Sequence, residues 1–185
     1  MASHWDVLYN LLKNKDYVTI AEIGAYQGKL TKYILDRIST IEKYYVIDPW
    51  KHYPEWDNIL DPTKPMLKAN MNEVFTEFKR NIRLHRDRIE ILKMNSSEAI
   101  KHIPDKSLDF VFIDANHAYE FVKEDIQLWT PKVKIGGIVS GHDYGIEYRK
   151  PRFGVTAAVN ELIPDVKVKG TVWYDIKNED NWLKK

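Results

Sequence analysis

Ala21 to Thr31 read AEIGAYQGKLT, a glycine-containing turn after a short apolar run, and the ligand that this turn can serve decides how the rest of the chain is read. A dinucleotide fingerprint, G-x-G-x-x-G, needs a second glycine two places on so that backbone can approach a pyrophosphate. Counting from Gly24, that place holds Tyr26. A phosphate-cradling P-loop needs four residues between its glycines and then Lys with Ser or Thr. Here Gly24 and Gly28 enclose three residues, and Lys29 is followed by Leu30, with Thr31 one place late. Both phosphate readings fail on spacing. What remains is E-x-G-x-x-x-G after a strand, a loop open enough for a nucleoside-sized group and poorly suited to phosphates.

Working outward, Tyr17 to Ile23 reads as a buried strand, and Leu30, Ile34, Leu35 and Ile38 place one apolar face on the helix that follows. Upstream, Ser3 with Asp6 resembles a capping box, and Trp5, Leu8, Leu11 and Leu12 recur at helical spacing, predicting a short amphipathic helix within residues 1–15. Downstream, strands are predicted over residues 44–47, 89–92 and 108–113, and a fifth from Ile138 to Ser140 onward. Helices are predicted over residues 66–84, 97–103, 119–129 and 155–163, with Pro131 and Gly136-Gly137 stopping the third of these. Four prolines, Pro49, Pro54, Pro62 and Pro65, make residues 49–65 a loop. The segments VKVKG and TVWYDIK around Gly170 read as a closing hairpin. Strands alternating with helices over most of the length predict a single α/β domain, residues 1–185, built on a largely parallel sheet with right-handed crossovers.

The composition narrows the function classes. Twenty-eight basic against twenty-seven acidic side chains leave a formal charge of +1, which argues against a general polyanion binder. The chain has no cysteine, so disulfides, thiolate metal ligands and cysteine nucleophiles are excluded. The segment MASHWDVLYNLLKNK carries an acidic residue and a polar end where a secretory leader needs basic residues and an unbroken apolar run. No stretch approaches the roughly 18 apolar residues of a spanning helix. A soluble, cytoplasmic protein with no membrane partner is therefore expected.

In an open parallel sheet, ligands sit outside the carboxyl ends of the strands, so the polar residues there are the candidates. After the first strand come Glu22, Gly24, Ala25, Tyr26 and Gly28; after the second comes Asp48, about the offset at which a carboxylate meets ribose hydroxyls. Asn95 and Ser96 follow the third strand and are of the kind that can read an adenine edge. Asp114, Asn116 and His117 follow the fourth, and His142 and Asp143 the fifth. Taken singly, each has a bland reading as a turn former or helix cap. Two aspartates and two histidines at adjacent central strand ends are harder to dismiss, because titratable groups near a core need partners.

With these residues in view, the sequence resembles the class I S-adenosylmethionine-dependent methyltransferases, and within them the branch of macrocin-type and cephalosporin-tailoring O-methyltransferases. The resemblance rests on AEIGAYQGKLT, YYVIDPWKHYPEW, LKMNSSEAI, DFVFIDANHAYEFVKEDIQLWTPKVKIGGIVSGHDY and FGVTAAVNEL with the late VWYDIK. It implies a doubly wound, Rossmann-like, mostly parallel seven-stranded sheet with an antiparallel last strand. It implies further that Glu22, Gly24, Ala25, Tyr26 and Gly28 line the methionine and ribose part of S-adenosylmethionine, that Asp48 holds the ribose diol, and that Asn95 and Ser96 face adenine. Asp114 joins this cofactor set. Metal-dependent members bind a divalent cation at positions matching Asp114, His142 and Asp143. The cation is Mg2+ or another ion, since imidazole suits transition ions better than Mg2+.

Methyl transfer to oxygen needs a base, and His117 is the first choice, with Asp143 as second and Asp114 completing the catalytic set. The planar residues Trp50, His52, Tyr53 and Trp56 sit where an acceptor could stack. Together with the resemblance they suggest a small hydroxyl acceptor, a sugar or natural product, for a protein that can form homo-oligomers. Arg149, Lys150 and Arg152 follow the fifth strand and are read as a solvated loop. Two rivals stand beside this reading. Lys79, Arg80, Arg83, Arg86 and Arg88 suggest a nucleic-acid methyltransferase, which the DANH at residues 114–117 disfavours. The other rival is a cofactor-binding protein without turnover.

Overall fold

The computed structural model of the chain describes residues 3–52, 68–146, 153–179 and 182–183. Strands β1 (Thr19–Ile23), β2 (Lys43–Ile47), β3 (Ile89–Leu92), β4 (Leu108–Ile113), β5 (Val133–Gly141), β6 (Lys167–Lys169) and β7 (Val172–Ile176) form one sheet. Their spatial order is β3-β2-β1-β4-β5-β7-β6. The first five run parallel, β7 lies antiparallel to β5, and β6 pairs antiparallel with β7 across the turn at Gly170. This is the doubly wound, seven-stranded, mostly parallel architecture expected from the sequence. Strand order reverses between β1 and β4, which opens a crevice at their carboxyl ends.

Helices α1 (His4–Leu12), α2 (Lys29–Leu35) and α3 (Met71–Asn81) cover one face; α4 (Ser96–Ala99), α5 (Tyr119–Trp129) and α6 (Val155–Leu162) cover the other. The division follows from the two-residue period of a strand. On β4, Phe110 and Phe112 pack toward α1–α3, while Val111 and Ile113 pack toward α4–α6. All six β4 residues are buried, which is why this strand reads as a continuous apolar run. Trp129 and Trp173 fill the α4–α6 layer and Phe78 the opposite one, each fully buried.

The capping box of α1 is formed: Ser3 N–H donates to Asp6 Oδ2 at 3.1 Å and Asp6 N–H to Ser3 Oγ at 3.2 Å. Helix α3 starts later than its sequence suggests, because Asn70 takes the cap and its Oδ1 accepts from Asn72 N–H at 3.0 Å. The prediction for the fifth strand needs correction. Helix α5 ends at Trp129, and β5 already begins at Val133, so Gly136-Gly137 lie inside the strand. They form an irregularity where the register against β4 shifts between Leu108 and Phe110. Gly136 has φ +83, and a Cβ on Gly137 would lie 2.8 Å from the Asp109 carbonyl oxygen, so the glycines permit a bulge.

The basic run is also partly absorbed by the fold. Arg88 donates from Nη1 to the carbonyls of Ile38 and Ile41, at 3.3 and 3.1 Å, and from Nη2 to that of Leu35 at 3.2 Å. It closes the carboxyl end of α2. Arg149, Lys150 and Arg152 lie outside the described residues. Among the described residues, no helix is long and apolar enough to cross a membrane.

Candidate active site

The β1–α2 turn is held by one carboxylate. Asp48, just past β2, accepts at Oδ2 from the Ala25 and Tyr26 amides at 3.1 and 2.9 Å, and at Oδ1 from the Trp50 amide at 2.7 Å. Trp50 closes the circuit by donating from Nε1 to the Tyr26 carbonyl at 2.8 Å. Burial raises the Asp48 pKa, and the three amides oppose that rise. Tyr26 and Trp50 both hold left-handed backbone, φ 48 and φ 46, as does Asp143 at φ 62. Such backbone costs roughly 1–2 kcal/mol per residue without glycine. Two of the four described non-glycine residues with positive φ, Tyr26 and Trp50, thus belong to this one circuit, as strain does at functional sites.

The two glycines of the turn do different things. A Cβ on Gly24 would lie 2.2 Å from the Asp114 carbonyl oxygen and 2.8 Å from Ala115 Cα. Only glycine lets the end of β1 lie this close to the end of β4. At Gly28 the space freed by the missing side chain is taken by Phe78, 2.5 Å from a Cβ built there, so this glycine serves the packing of α3 on α2.

Gly24, Tyr26 and Asp48 line a cleft at the carboxyl edge of the sheet together with Asn95, Ser96, Ser97, Asp114, Ala115, Asn116, Phe121 and Asp125. The structure thus brings together seven of the residues singled out in the sequence. Glu22 is not among them. It is 2% exposed and accepts at Oε2 from Thr31 Oγ1 at 2.6 Å and Tyr44 OH at 2.7 Å. Burial pushes its pKa up to about 7 in spite of those two hydroxyls. Ala25 is also buried, and contributes its amide to Asp48. Trp50, expected beside an acceptor, is 4% exposed and packs on Phe75 and Phe78 with ring centroids 4.5 and 4.8 Å away. His52 is exposed; Tyr53 and Trp56 lie outside the described residues.

Beyond Asp114 the cleft meets a cluster of carboxylates and imidazoles. His117 Nε2 lies 2.9 Å from Asp143 Oδ2 and 3.4 Å from Asp114 Oδ1. Its ring stacks on Phe153, centroids 4.5 Å apart and planes 7° apart. Burial pulls the His117 pKa down, but Asp114 and Asp143 outweigh it and hold it at about 9. Burial raises Asp114, yet His117 and His142 overcome this and keep it well below the usual carboxylate range. Without other ligands, His117 therefore carries a proton near neutrality, which opposes the role of base expected from the sequence.

One ligand atom each from Asp114, His117 and Asp143 lies within 4.8 Å of the others, a donor set that fits a divalent cation tolerant of nitrogen. The metal set expected from the sequence, Asp114, His142 and Asp143, shares both aspartates with this group. His142 Nδ1 does face Asp143 and Asp114, at 3.3 and 3.7 Å, but its Nε2 lies 2.8 Å from Thr171 Oγ1. Both imidazoles therefore face the two aspartates, that of His117 at the shorter distances, 2.9 and 3.4 Å.

Three further residues complete the site, of which His4 and Asp125 are not among the sequence candidates. His4, at the start of α1, lays its ring 4.3 Å from that of His142; nothing in the sequence joins positions so far apart. Asn116 spends Oδ1 on the Ala118 amide at 3.0 Å, while its buried Nδ2 has no hydrogen-bond partner among the described residues. Asp125 sits on the inward stripe of α5 with Val122, Ile126 and Trp129. A charged residue at that spacing is an anomaly visible in the sequence.

Comparison with known proteins agrees with this geometry. Residues 21–144 match the family model described as a methyltransferase domain. The chain belongs to this methyltransferase family, and its fold is that of the S-adenosylmethionine-dependent enzymes. It is 29% identical over 171 residues to the uncharacterized protein R132 of Acanthamoeba polyphaga mimivirus, covering 89% of this chain and 68% of that one. It is 37% identical over 65 residues to the uncharacterized protein y4gI of Sinorhizobium fredii (strain NBRC 101917 / NGR234), 35% of this chain and 7% of that protein's length. Among solved structures, a putative caffeoyl-CoA O-methyltransferase from Staphylococcus aureus superposes with a TM-score of 0.67 at 16% identity, covering 96% of this chain and 85% of that one. The O-methyltransferase NovP gives 0.64 at 19% identity, over 95% and 79%.

Proposed function

We propose that this chain is an S-adenosylmethionine-dependent O-methyltransferase acting on a hydroxyl of a small molecule, a sugar or natural-product scaffold, in the cytoplasm. The observation that carries the reading is that Asp114 belongs both to the wall of the cleft lined by Gly24 and Asp48 and to the Asp114–His117–Asp143 cluster. The two solved neighbours named as O-methyltransferases favour oxygen as the acceptor atom, and the sequence resemblance to the macrocin branch favours a polyhydroxyl acceptor. Residues 79–88 argue less for nucleic acid once Arg88 is committed to α2.

S-adenosylmethionine supplies a methyl carbon on a cationic sulfur, which an acceptor oxygen takes in line as the carbon–sulfur bond breaks. Asp48 lines the cleft with lone pairs left for ribose hydroxyls, and Gly24 keeps the wall beside it free of side chain. Tyr26 borders the same end. Asp114, His117 and Asp143 would hold a divalent cation, a first-row transition ion in preference to Mg2+, which would lend acidity to the acceptor hydroxyl. The chain's own groups also provide for the proton: Asp143 receives it, and His117 balances the charge between the two aspartates as long as no cation is held, since a bound cation would displace the His117 proton.

Calorimetry with S-adenosylmethionine, S-adenosylhomocysteine and NAD tests the cofactor, and transfer to a panel of hydroxyl acceptors, after chelation and with Mg2+ or Mn2+ restored, tests the chemistry. Both sulfur nucleosides are expected to bind and NAD is not, with Mn2+ supporting transfer better than Mg2+. Asp143→Asn is expected to keep S-adenosylhomocysteine affinity and lose transfer. NAD binding without sulfur-nucleoside binding overturns the proposal.

A further inference from the structure

Asp125 is a buried carboxylate, 5% exposed, that lines the cleft and has no part in the proton chemistry above. It is held by a directional relay. Trp129, one turn along α5, donates from Nε1 to Ser96 Oγ at 2.6 Å, and the Ser96 hydroxyl in turn donates to Asp125 Oδ1. Because the indole can only donate, Ser96 must accept from it and spend its own proton on Asp125. Among the described residues, nothing hydrogen-bonds the other carboxylate oxygen, Oδ2. An acceptor fixed at one oxygen and open at the other, in the wall of the cleft, awaits a donor from the ligand. A polar group left unsatisfied there would otherwise be costly.

The same relay alters the expectation for Ser96 and Asn95. The Ser96 hydroxyl is committed to Asp125, and Asn95 takes the N-cap of α4, its amide donating to Glu98 Oε2 at 3.3 Å. Phe121, one turn before Asp125 on α5, also lines the cleft and offers an apolar face. A purine carrying an amino group is the ligand part whose edge matches an open carboxylate oxygen; a purine carrying a carbonyl there would set oxygen against oxygen.

Resting on the S-adenosylmethionine reading above, we propose that Asp125 is the residue that selects adenine, accepting a hydrogen bond from its exocyclic amino group, with Ser96 and Trp129 as positioning residues. Burial raises the Asp125 pKa to about 7 against the opposing Ser96 bond. A donor supplied by the ligand compensates the carboxylate that burial disfavours.

Binding of S-adenosylhomocysteine and of its deaminated counterpart, S-inosylhomocysteine, to the unaltered chain tests this by calorimetry. The amino form is expected to bind roughly tenfold or more tightly, the scale of a hydrogen bond to a charged group. Asp125→Asn, whose amide offers a donor as well as an acceptor, is expected to bring the two within about threefold. Ser96→Ala, which frees the carboxylate without removing it, should weaken the amino form while leaving it preferred. If Asp125 merely anchors α4 on α5, Asp125→Asn lowers the melting temperature and leaves the affinity ratio unchanged, which overturns the proposal. Equal binding of the two ligands by the unaltered chain also overturns it, with no variant needed. Failure of S-adenosylhomocysteine to bind at all overturns the cofactor reading and this inference together, whereas tight but indiscriminate binding overturns this inference alone.

Discussion

Gly24 and Gly145 both hold left-handed backbone, φ +90 and φ +77, but a Cβ at Gly145 meets nothing within 4 Å while one at Gly24 runs into the Asp114 carbonyl. Gly145→Ala is therefore expected to cost about 1 kcal/mol from backbone strain alone, and Gly24→Ala about 3 kcal/mol or more, because neither strand end can yield. Urea unfolding of the two variants measures the difference; matching midpoints would refute the close approach of β1 and β4. Glu22 carries a second residue-scale prediction. Its folded pKa of about 7 exceeds the ordinary 4.5, so folding takes up a proton between those values. The associated stability is full below about pH 4.5 and is lost as pH rises through 7. Glu22→Gln should flatten that part of the stability–pH curve, and an unchanged slope would exclude Glu22 as its source.

At this scale the sequence showed where polar residues gather better than what each one does. Gly24, Tyr26, Asp48, Asn95, Ser96 and Asp114 were legible because topology alone carries strand ends to one rim. The tasks of Glu22 and Gly28 were not legible, because Tyr44 and Phe78 reach them from elements distant in the chain. His4 was silent for the same reason.

Among the elements, α2 is short, seven residues, and its last carbonyls depend on a side chain from beyond α3. Arg88→Ala leaves those carbonyls without the guanidinium and is expected to cost about 1–3 kcal/mol. A drop in melting temperature with S-adenosylhomocysteine affinity preserved checks it, whereas wild-type stability would return Arg88 to the solvated basic run. Most strands and helices were legible from periodicity and caps, β4 and α5 to the residue. The start of β5 was missed because a glycine pair reads as a terminator in sequence, whereas here it permits a bulge within a strand. The register that makes it one is a property of the pair of strands, and no single segment contains it.

For the molecule as a whole, balanced charge implies that affinity for a short RNA should be weak and nearly insensitive to salt. A binding constant falling steeply between about 50 and 200 mM salt, as it does when many phosphates are neutralised, would revive the nucleic-acid reading. A sulfur nucleoside that binds the folded chain alone must raise its melting temperature. At a hundred times its Kd, the stabilisation is about 2.7 kcal/mol. Thermal denaturation against ligand concentration checks this, and a flat response would contradict the cleft.

Asp114 takes part in both halves of this site: its amide donates to the Ile23 carbonyl at 2.8 Å, its own carbonyl abuts Gly24, and its carboxylate meets His117. Whatever moves that carboxylate also tugs on the nucleoside wall. Thermodynamic reciprocity then requires that occupancy at either end alter affinity at the other by an identical factor, so donor and acceptor are expected to engage heterotropically, with a coupling that paired equilibrium titrations measure from either side.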